Sequence, residues 1–407
     1  MLGNWLSAVS IVALAFVGLL ASDDACASEI RGTLSSVAQV ANDSSETTVR
    51  PYLGVRLRSA DLYKRNSRSI GFNLYGRWTD QNSSFADDCL KILSSYIDLR
   101  GFVLSSDIRL GRFYSFGPAG SATIDGIRLQ RTFGHKNRAR IAWGSRVSLE
   151  RQGSIRPLSE AGVLSAEFSH AYSPSLDLKA GLFLGMDDHN LEDLRFGAQV
   201  GYRHKLLRSS GKLAFDPIAR SLSDVRIRMS IRQKSWYFAA SLRSREPSVR
   251  YQSVFSMIDS EPIREGRIEI RRKLIQKISI YTRLAQTWYG EDGVSRVQLG
   301  LTSSRFSVGW LTQDGRRGER NSVVGSANLD LTNRLNLAVS ADMTRYRVQE
   351  ESVELSDAYV GIASVLWRPT RDISLGGDLQ FVRNAIAREE WTVLIRGTKR
   401  FSIGSKR

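Results

Sequence analysis

Apolar and polar residues alternate along most of this chain with a period of two. Residues 225–232 read VRIRMSIR, so that every second position is apolar and most of the others are cationic. Because successive side chains of a β-strand point to opposite faces, this pattern predicts strands with one apolar and one polar face. An amphipathic helix would instead repeat its apolar positions every 3.6 residues. Further runs of the same kind lie at 53–58, 176–184, 194–203, 335–343 and 373–381.

The links between these runs predict the topology. Short polar links lie at 173–174, 208–211, 233–235, 303–304, 332–334 and 369–371, and longer ones at 151–160, 187–193, 245–265, 314–321, 349–357 and 384–389. Bacterial membrane barrels place short turns in the periplasm and long loops outside. We therefore predict an all-β fold, a transmembrane antiparallel up-and-down β-barrel of about 20–22 strands with no plug domain. The longest link, 245–265, is a candidate to fold over or into the pore.

The first fifty residues carry different patterns. Residues 6–20 are apolar but shorter than a membrane-spanning helix, and residues 25–27 (ACA) resemble a signal-peptidase site. We predict that residues 1–27 are a secretory signal peptide. An uncleaved anchor is the alternative, because the opening residues MLGNW contain no Lys or Arg. Residues 28–50 are rich in Ser, Thr, Asn and Asp and are predicted to be a periplasmic lead-in segment.

The barrel is predicted to cover residues 51–403, with 391–401 as its closing strand and 404–407 as a C-terminal tail. If residues 1–27 are removed, Cys89 is the one cysteine left, so no intrachain disulfide can form. Stability must then come from hydrogen bonds between strands, and a closed barrel pairs every strand on both sides. Aromatic residues near the ends of runs, such as Trp143, Tyr172 and Trp236, are expected at the two membrane interfaces.

Two passages resemble a known group of proteins. Residues 95–120 and 122–134 contain RLGR at 109–112, a Gly-rich link, and DGIR at 125–128. This order resembles uncharacterised porin-like outer-membrane β-barrel proteins of delta-type proteobacteria, and similar sequences occur in porins and alginate-export-like barrels. The resemblance implies an outer-membrane barrel and no particular substrate. Members of this group end on an aromatic residue, whereas this chain continues for six residues past Phe401.

An excess of cationic residues is the main functional signal. The chain has 58 Lys and Arg against 41 Asp and Glu, for a net charge of +17. Rings of cations in a water-filled pore attract anions and repel cations. We therefore predict a porin-like channel for passive diffusion of small, anionic solutes. The candidate pore-lining residues are Arg109, Arg128, Arg195, Arg203, Arg226, Arg228, Arg232, Arg267 and Arg271.

Two alternatives assign these arginines other roles. Carboxylates on neighbouring strands can neutralise them, or they can bind lipopolysaccharide phosphates near the outer rim. The barrel can also act as a scaffold or sheath for a secretion, export or electron-transfer partner, and that periplasmic partner would fill the lumen. The candidate neutralising residues are Asp98, Glu150, Glu167, Glu269, Asp330, Asp342 and Asp378.

Other function classes have weak support in the sequence. No two of the four histidines have metal-ligand spacing, and residues 187–189 (DDH) are a faint candidate for loop-borne catalysis. Residues 117–120 (GPAG) are predicted to be an outer turn. Cations spread over all the strands argue against nucleic-acid binding. We expect no enzyme activity, metal or cofactor. The expected partners are outer-membrane lipids, lipopolysaccharide, the outer-membrane assembly machinery and small solutes.

Overall fold

The computed structural model describes most of the chain. The described residues are 29–42, 47–65, 67–79, 90–103, 106–147, 156–246, 262–275, 277–315, 318–347, 355–385 and 389–404. The predicted signal peptide at 1–27, Cys89, Glu150 and most of the link at 245–265 lie outside these ranges.

The described residues form one antiparallel sheet of 22 strands that closes into a barrel. Each strand pairs with the next in sequence, and the first also pairs with the last. This confirms the up-and-down topology, and the described residues contain no helical plug. The strands are β1 (Ile30–Asn42), β2 (Thr47–Arg65), β3 (Arg68–Thr79), β4 (Leu90–Val103), β5 (Ser106–Phe116), β6 (Ser121–Phe133), β7 (Asn137–Arg146), β8 (Gly162–Ser173), β9 (Leu176–Asp187), β10 (Asn190–Arg203), β11 (Leu207–Asp216), β12 (Ser221–Gln233), β13 (Trp236–Arg245), β14 (Ile263–Ile275), β15 (Ile278–Tyr289), β16 (Asp292–Thr302), β17 (Phe306–Gly315), β18 (Arg320–Asp330), β19 (Leu335–Tyr346), β20 (Ser356–Trp367), β21 (Ile373–Arg383) and β22 (Glu390–Ile403).

The first strand corrects the predicted start of the barrel. We expected a periplasmic lead-in at 28–50, but residues 30–42 form β1, which pairs with both β2 and β22. The alternation in β1 is weak because Gly32 and Ser36 occupy positions on its apolar phase. The ring of Phe401 on β22 occupies the space that a side chain at position 32 would fill, so apolar surface continues across Gly32. β22 confirms the predicted closing strand.

The two faces of the sheet differ in polarity. On β12, Ile227, Met229 and Ile231 are exposed, and the residues between them are Arg or Ser. Most ion pairs between strands, such as that of Lys212 with Asp224, lie on the polar phase. We therefore place the polar phase in the lumen and the apolar phase toward lipid. A barrel of this strand number is too wide for its own side chains to fill.

Exposed aromatic residues on the apolar phase lie near both ends of the barrel. Such girdles are typical of the two interfaces of a membrane barrel. Trp78, Trp143, Trp288 and Trp391 lie near the end with the longer links, and Tyr172, Tyr202, Trp236 and Trp367 lie near the end with the short turns.

Some predicted links were wrong. Residues 208–211 lie inside β11, and the chain reverses direction at 204–206. The predicted link at 187–193 contains only a tight turn at Asp188 and His189, both with positive φ. A single short helix, α1 (Leu158–Ala161), lies between β7 and β8 in the described residues. Within these residues, no helix is long and apolar enough to cross a membrane.

Candidate functional site

All nine predicted pore-lining arginines lie on the polar phase of their strands. Arg109 and Arg128 are direct cross-strand partners on β5 and β6. Arg195 and Arg203 lie on β10, and Arg226, Arg228 and Arg232 lie on the lumen face of β12. The remaining two, Arg267 and Arg271, lie on β14. The structure therefore separates the nine into a pair on β5–β6 and a larger group on β10–β14.

Carboxylates neutralise some of these arginines, as the alternative interpretation predicted. Arg109 makes a bidentate pair with Asp98, with N···O distances of 2.7 and 2.9 Å. Arg271 Nη2 lies 2.8 Å from Glu269 Oε1. Arg195, Arg226 and Arg267 also contact carboxylates. In contrast, no described carboxylate lies within 4 Å of Arg128, Arg203, Arg228 or Arg232. The neutralisation is therefore partial.

Other predicted neutralising residues also form cross-strand pairs. Glu167 pairs with Arg140, Asp342 with Arg320 and Asp378 with Arg396, at N···O distances of 2.7, 2.9 and 2.8 Å. Asp330 instead accepts a hydrogen bond from the amide of Asn336.

The lumen face of β10–β14, here called the cationic wall, has a large excess of positive charge. Its described residues include twelve Lys and Arg but five Asp and Glu. The cations are Arg195, Arg203, Arg208, Lys212, Arg226, Arg228, Arg232, Arg243, Arg245, Arg267, Arg271 and Lys273, and the acids are Asp193, Asp216, Asp224, Glu265 and Glu269. By comparison, the described lumen positions of β17–β21 include one cation, Arg320, and three acids, Asp330, Asp342 and Asp378.

Three cations stand in one cross-strand row at the centre of the cationic wall. Arg226 on β12 pairs in register with Lys212 on β11 and with Arg243 on β13. Asp224 contacts two of them, with its carboxylate oxygens 3.0 Å from Lys212 Nζ and 2.8 Å from Arg226 Nε. Directly opposed side chains on neighbouring strands have Cβ atoms about 4.5–5.5 Å apart. Asp224 therefore serves two of the three cations, and the third, Arg243, pairs in register with Glu265 on β14.

The lumen face of β5–β9 is packed instead of open, and is here called the packed wall. Phe113, Ile124 and Val163 have at most 1% of their surface exposed. They form a cluster with alanines and with Phe183, on the phase that points into the barrel. Apolar side chains at lumen positions would face water if nothing covered them, so another part of the chain must lie over this wall.

The covering element is the tip of the β5–β6 hairpin, residues 112–125, here called the inward hairpin. It contributes Phe113 and Ile124 to the cluster and lies over Val163 and Phe183 of the wall. β5 pairs with β4 up to Arg112, and β6 pairs with β7 up to Ile124. Beyond those points β5 and β6 pair with each other up to Phe116 and Ser121, apart from one hydrogen bond from the amide of Val147 to the carbonyl of Thr123. The ribbon therefore leaves the wall. Three glycines in direct cross-strand register, Gly111, Gly126 and Gly144, lie at its base and permit the bend.

Glycines on β9 and β10 form the seat of the inward hairpin. A Cβ at Gly181 would lie 3.1 Å from Pro118, and one at Gly197 would collide with the backbone of Ala119. A Cβ at Gly120 would lie 2.7 Å from the ring of Phe183. Both seat glycines occupy lumen positions, so the turn at 117–120 rests on the inside of the barrel. It lies at the predicted outer end, but the sequence did not predict its inward direction.

The other face of the inward hairpin is presented to the lumen. Tyr114 and Phe116 are 61% and 58% exposed, and they alternate with the buried Phe113 and Ser115. Arg140 donates a hydrogen bond to the carbonyl of Phe116, and its guanidinium lies 5.7 Å from the Phe116 ring. The arrangement narrows the lumen beside the packed wall and places the Phe116 ring next to Arg140.

The faint catalytic candidate at 187–189 is engaged in structural contacts. Arg156 contacts Asp187 at 3.1 Å and Asp188 at 2.9 Å. The amides of Asp188 and His189 donate to carbonyls of Glu160 and Ser159 in α1. These contacts attach α1 to the β9–β10 turn. No group of three or more metal-binding side chains occurs in the described part of the chain.

Comparison with solved structures finds proteins of similar fold. Pseudomonas aeruginosa OccK3 (OpdO) is similar at 11% identity over 92% of this chain and 96% of that one, with a TM-score of 0.44. Acinetobacter baumannii OccAB4 is similar at 8% identity over 93% and 99%, also with a TM-score of 0.44. A chain of the E. coli P pilus tip assembly intermediate PapC-PapD-PapK-PapG gives a TM-score of 0.54 at 9% identity, over 94% of this chain and 62% of that one. No family model and no curated protein matches the sequence. At these identities the likeness is one of fold.

Sequence reasoning missed several lumen residues. Lys212 and Arg243 were not among the candidates, although each lies at an alternate position in a clear two-residue pattern. Tyr114 and Phe116 could not have been assigned to the lumen, since the same alternation would place them toward lipid. The signal for the inward hairpin was the match between the small residues 117–120 and the glycines at 181 and 197.

Proposed function

We propose that this protein is an outer-membrane channel through which small, anionic solutes diffuse passively. The row of Lys212, Arg226 and Arg243 carries this proposal. Like charges directly opposite each other on neighbouring strands destabilise a sheet. Because such a row lowers the stability of the barrel, its presence on the lumen face indicates a role other than folding. A water-filled pore lined by cations concentrates anions and excludes cations.

The inward hairpin supports a channel of restricted width. It lies over the packed wall and presents Tyr114 and Phe116 to the lumen, so that solutes must pass between it and the remaining wall. The cationic wall begins at β10, the strand that supplies Gly197 to the seat of the hairpin. Solutes that pass the hairpin therefore travel beside the cations.

A reversal-potential measurement tests the proposal. The refolded mature chain is inserted into a planar bilayer under a gradient of potassium chloride. We expect single-channel conductance with a reversal potential that indicates chloride preference. The triple variant Lys212→Gln, Arg226→Gln, Arg243→Gln should shift this potential toward that of an unselective pore, because it removes three positive charges from the lumen face.

A matched control removes the same charge from the outer surface. Arg264, Arg272 and Lys399 lie on the lipid phase of β14 and β22, and their replacement by Gln should leave the reversal potential unchanged. Cation preference in the wild type contradicts the proposal, as does an equal shift in the control. A wild type without conductance favours the alternative role as a sheath, and a periplasmic partner should then co-purify with the chain.

We also propose a route and a family for the chain. Residues 1–27 direct export, the outer-membrane assembly machinery inserts the barrel, and the passages at 95–120 and 122–134 support a relationship to porin-like barrels of delta-type proteobacteria. Fractionation of a Gram-negative host tests the route. The full chain should be found in the outer-membrane fraction, whereas a chain without residues 1–27 should remain in the cytoplasm.

A further inference from the structure

The outward face of β8–β12 contains an apolar groove with a volume of about 650 Å³. Its floor consists of small residues on three neighbouring strands, Ala180, Ala198 and Gly211. Ala180 and Ala198 are direct cross-strand partners, and Gly211 pairs with the neighbouring Val200. Larger side chains form the borders, namely Phe168, Leu178, Val200, Leu213, Val225 and Ile227. Because these residues lie on the lipid phase, the groove opens toward hydrocarbon.

Cationic and polar groups lie at the end of the groove nearest the short turns. His170 lines the groove, and its Nδ1 lies 2.6 Å from the side-chain oxygen of Asn137. The Nζ atom of Lys136 lies 3.5 Å from the carbonyl of Tyr172. Arg131 occupies the same cross-strand row as Phe168, with Ala139 between them. The described outward positions of β7–β12 include no Asp or Glu.

We propose that this groove binds one acyl chain of a diacyl phospholipid, with the lipid phosphate beside His170, Lys136 and Arg131. The proposal rests on the outer-membrane location given above. A void between the wall and the lipid would lose dispersion contacts, and water does not fill apolar cavities. An acyl chain fills the groove, and the cations at its end complement a phosphate. The short-turn end is assigned to the periplasm, so the ligand is a phospholipid of the inner leaflet, not lipopolysaccharide.

Native mass spectrometry of the full chain, purified in mild detergent with added phosphatidylglycerol, tests the site. We expect a stoichiometric phospholipid adduct that survives removal of bulk lipid. Ala198→Phe places a ring on the exposed floor of the groove and should reduce the retained lipid by about tenfold or more. Ala341→Phe is the matched control, because Ala341 is also exposed on the lipid phase but lies on β19, outside the groove. It should retain the adduct.

A second variant tests the phosphate contacts. Arg131→Gln together with Lys136→Gln should weaken retention of phosphatidylglycerol while leaving the barrel folded. No adduct in the wild type, equal retention by the Ala198 and Ala341 variants, or selective retention of lipopolysaccharide would overturn the proposal. So would a dimer that Ala198→Phe abolishes, because the groove would then bind a second copy. The Ala198 variant should keep the wild-type reversal potential, so loss of lipid is distinguishable from loss of the channel.

Discussion

The packed wall and the cationic wall are neighbours in one sheet, yet they use their lumen positions in opposite ways. On β7–β9, lumen residues such as Val163 and Phe183 are buried beneath the inward hairpin. On β10–β14, lumen residues such as Arg228 and Arg243 face the pore, with far fewer carboxylates than cations. Both walls alternate with the same period of two. Within the barrel wall, periodicity therefore fixes which side chains point inward, whereas long-range contacts decide which groups surround them.

The difference also divides stability and selectivity between the two regions. Burial of apolar surface beneath the hairpin stabilises the packed wall, whereas like charges in register destabilise the cationic wall. A substitution in the packed wall should therefore change the free energy of unfolding more than it changes ion selectivity. A substitution in the cationic wall should change ion selectivity more than it changes the free energy of unfolding.

Truncation of Phe113 should produce the largest loss of stability. Phe113 is fully buried between the inward hairpin and the wall, so Phe113→Ala leaves a cavity and should lower the free energy of unfolding by about 3–5 kcal/mol. Urea unfolding in detergent micelles measures the loss. Phe196→Ala on the lipid face of β10 is the control, because detergent can fill the space that it leaves. Equal losses at the two positions would show that the packed wall is not covered.

Displacement of the inward hairpin should have an intermediate effect on stability and a clear effect on the pore. Gly197→Leu places a side chain where the backbone of Ala119 lies, and overpacking of this kind costs about 1–3 kcal/mol. The hairpin should leave its seat, and single-channel conductance should rise. Gly361→Leu is the control, since a Cβ at Gly361 meets nothing within 4 Å. Unchanged conductance in the Gly197 variant would mean that the hairpin does not narrow the pore.

Removal of the Asp224 carboxylate, which contacts Lys212 and Arg226, should have the smallest effect on stability. Asp224→Asn leaves Lys212 and Arg226 without their shared partner and should lower the free energy of unfolding by about 1–2 kcal/mol, because the pair is only partly buried. The same change should increase anion preference in the reversal-potential assay. Asp378→Asn on β21 is the comparison, since Asp378 contacts the half-exposed Arg396. A shift toward cation preference in the Asp224 variant would contradict the role of this row.

Much of the fold followed from local pattern. The strand type, the closing strand at 391–401 and the inward phase of all nine candidate arginines depend only on which residues alternate. The start of the barrel was missed for a local reason as well. In β1, Gly32 and Ser36 interrupt the apolar series, and the compensating ring of Phe401 lies at the other end of the sequence.

The inward hairpin could not be predicted from its own residues. β5 and β6 alternate like the other strands. Residues 112–125 alone do not indicate whether the hairpin continues along the barrel wall or bends into the lumen. The direction depends on a row of glycines at its base and on two seat glycines, Gly181 and Gly197, which are more than fifty residues away along the chain. The burial of Phe113 follows from that long-range fit.

The pairing of β1 with β22 has a consequence for how the protein is made. All thirteen residues of β1 pair with residues of β22. The pairing of β1 on this side therefore cannot form until the last segment of the chain has been synthesised. A nascent chain that stops before residue 390 would expose backbone amides and carbonyls on both β1 and β21, and hydrocarbon tolerates such unpaired groups poorly. The closed barrel therefore needs the final fourteen-residue strand, and we expect the preceding twenty-one strands to be poorly retained in the membrane without it.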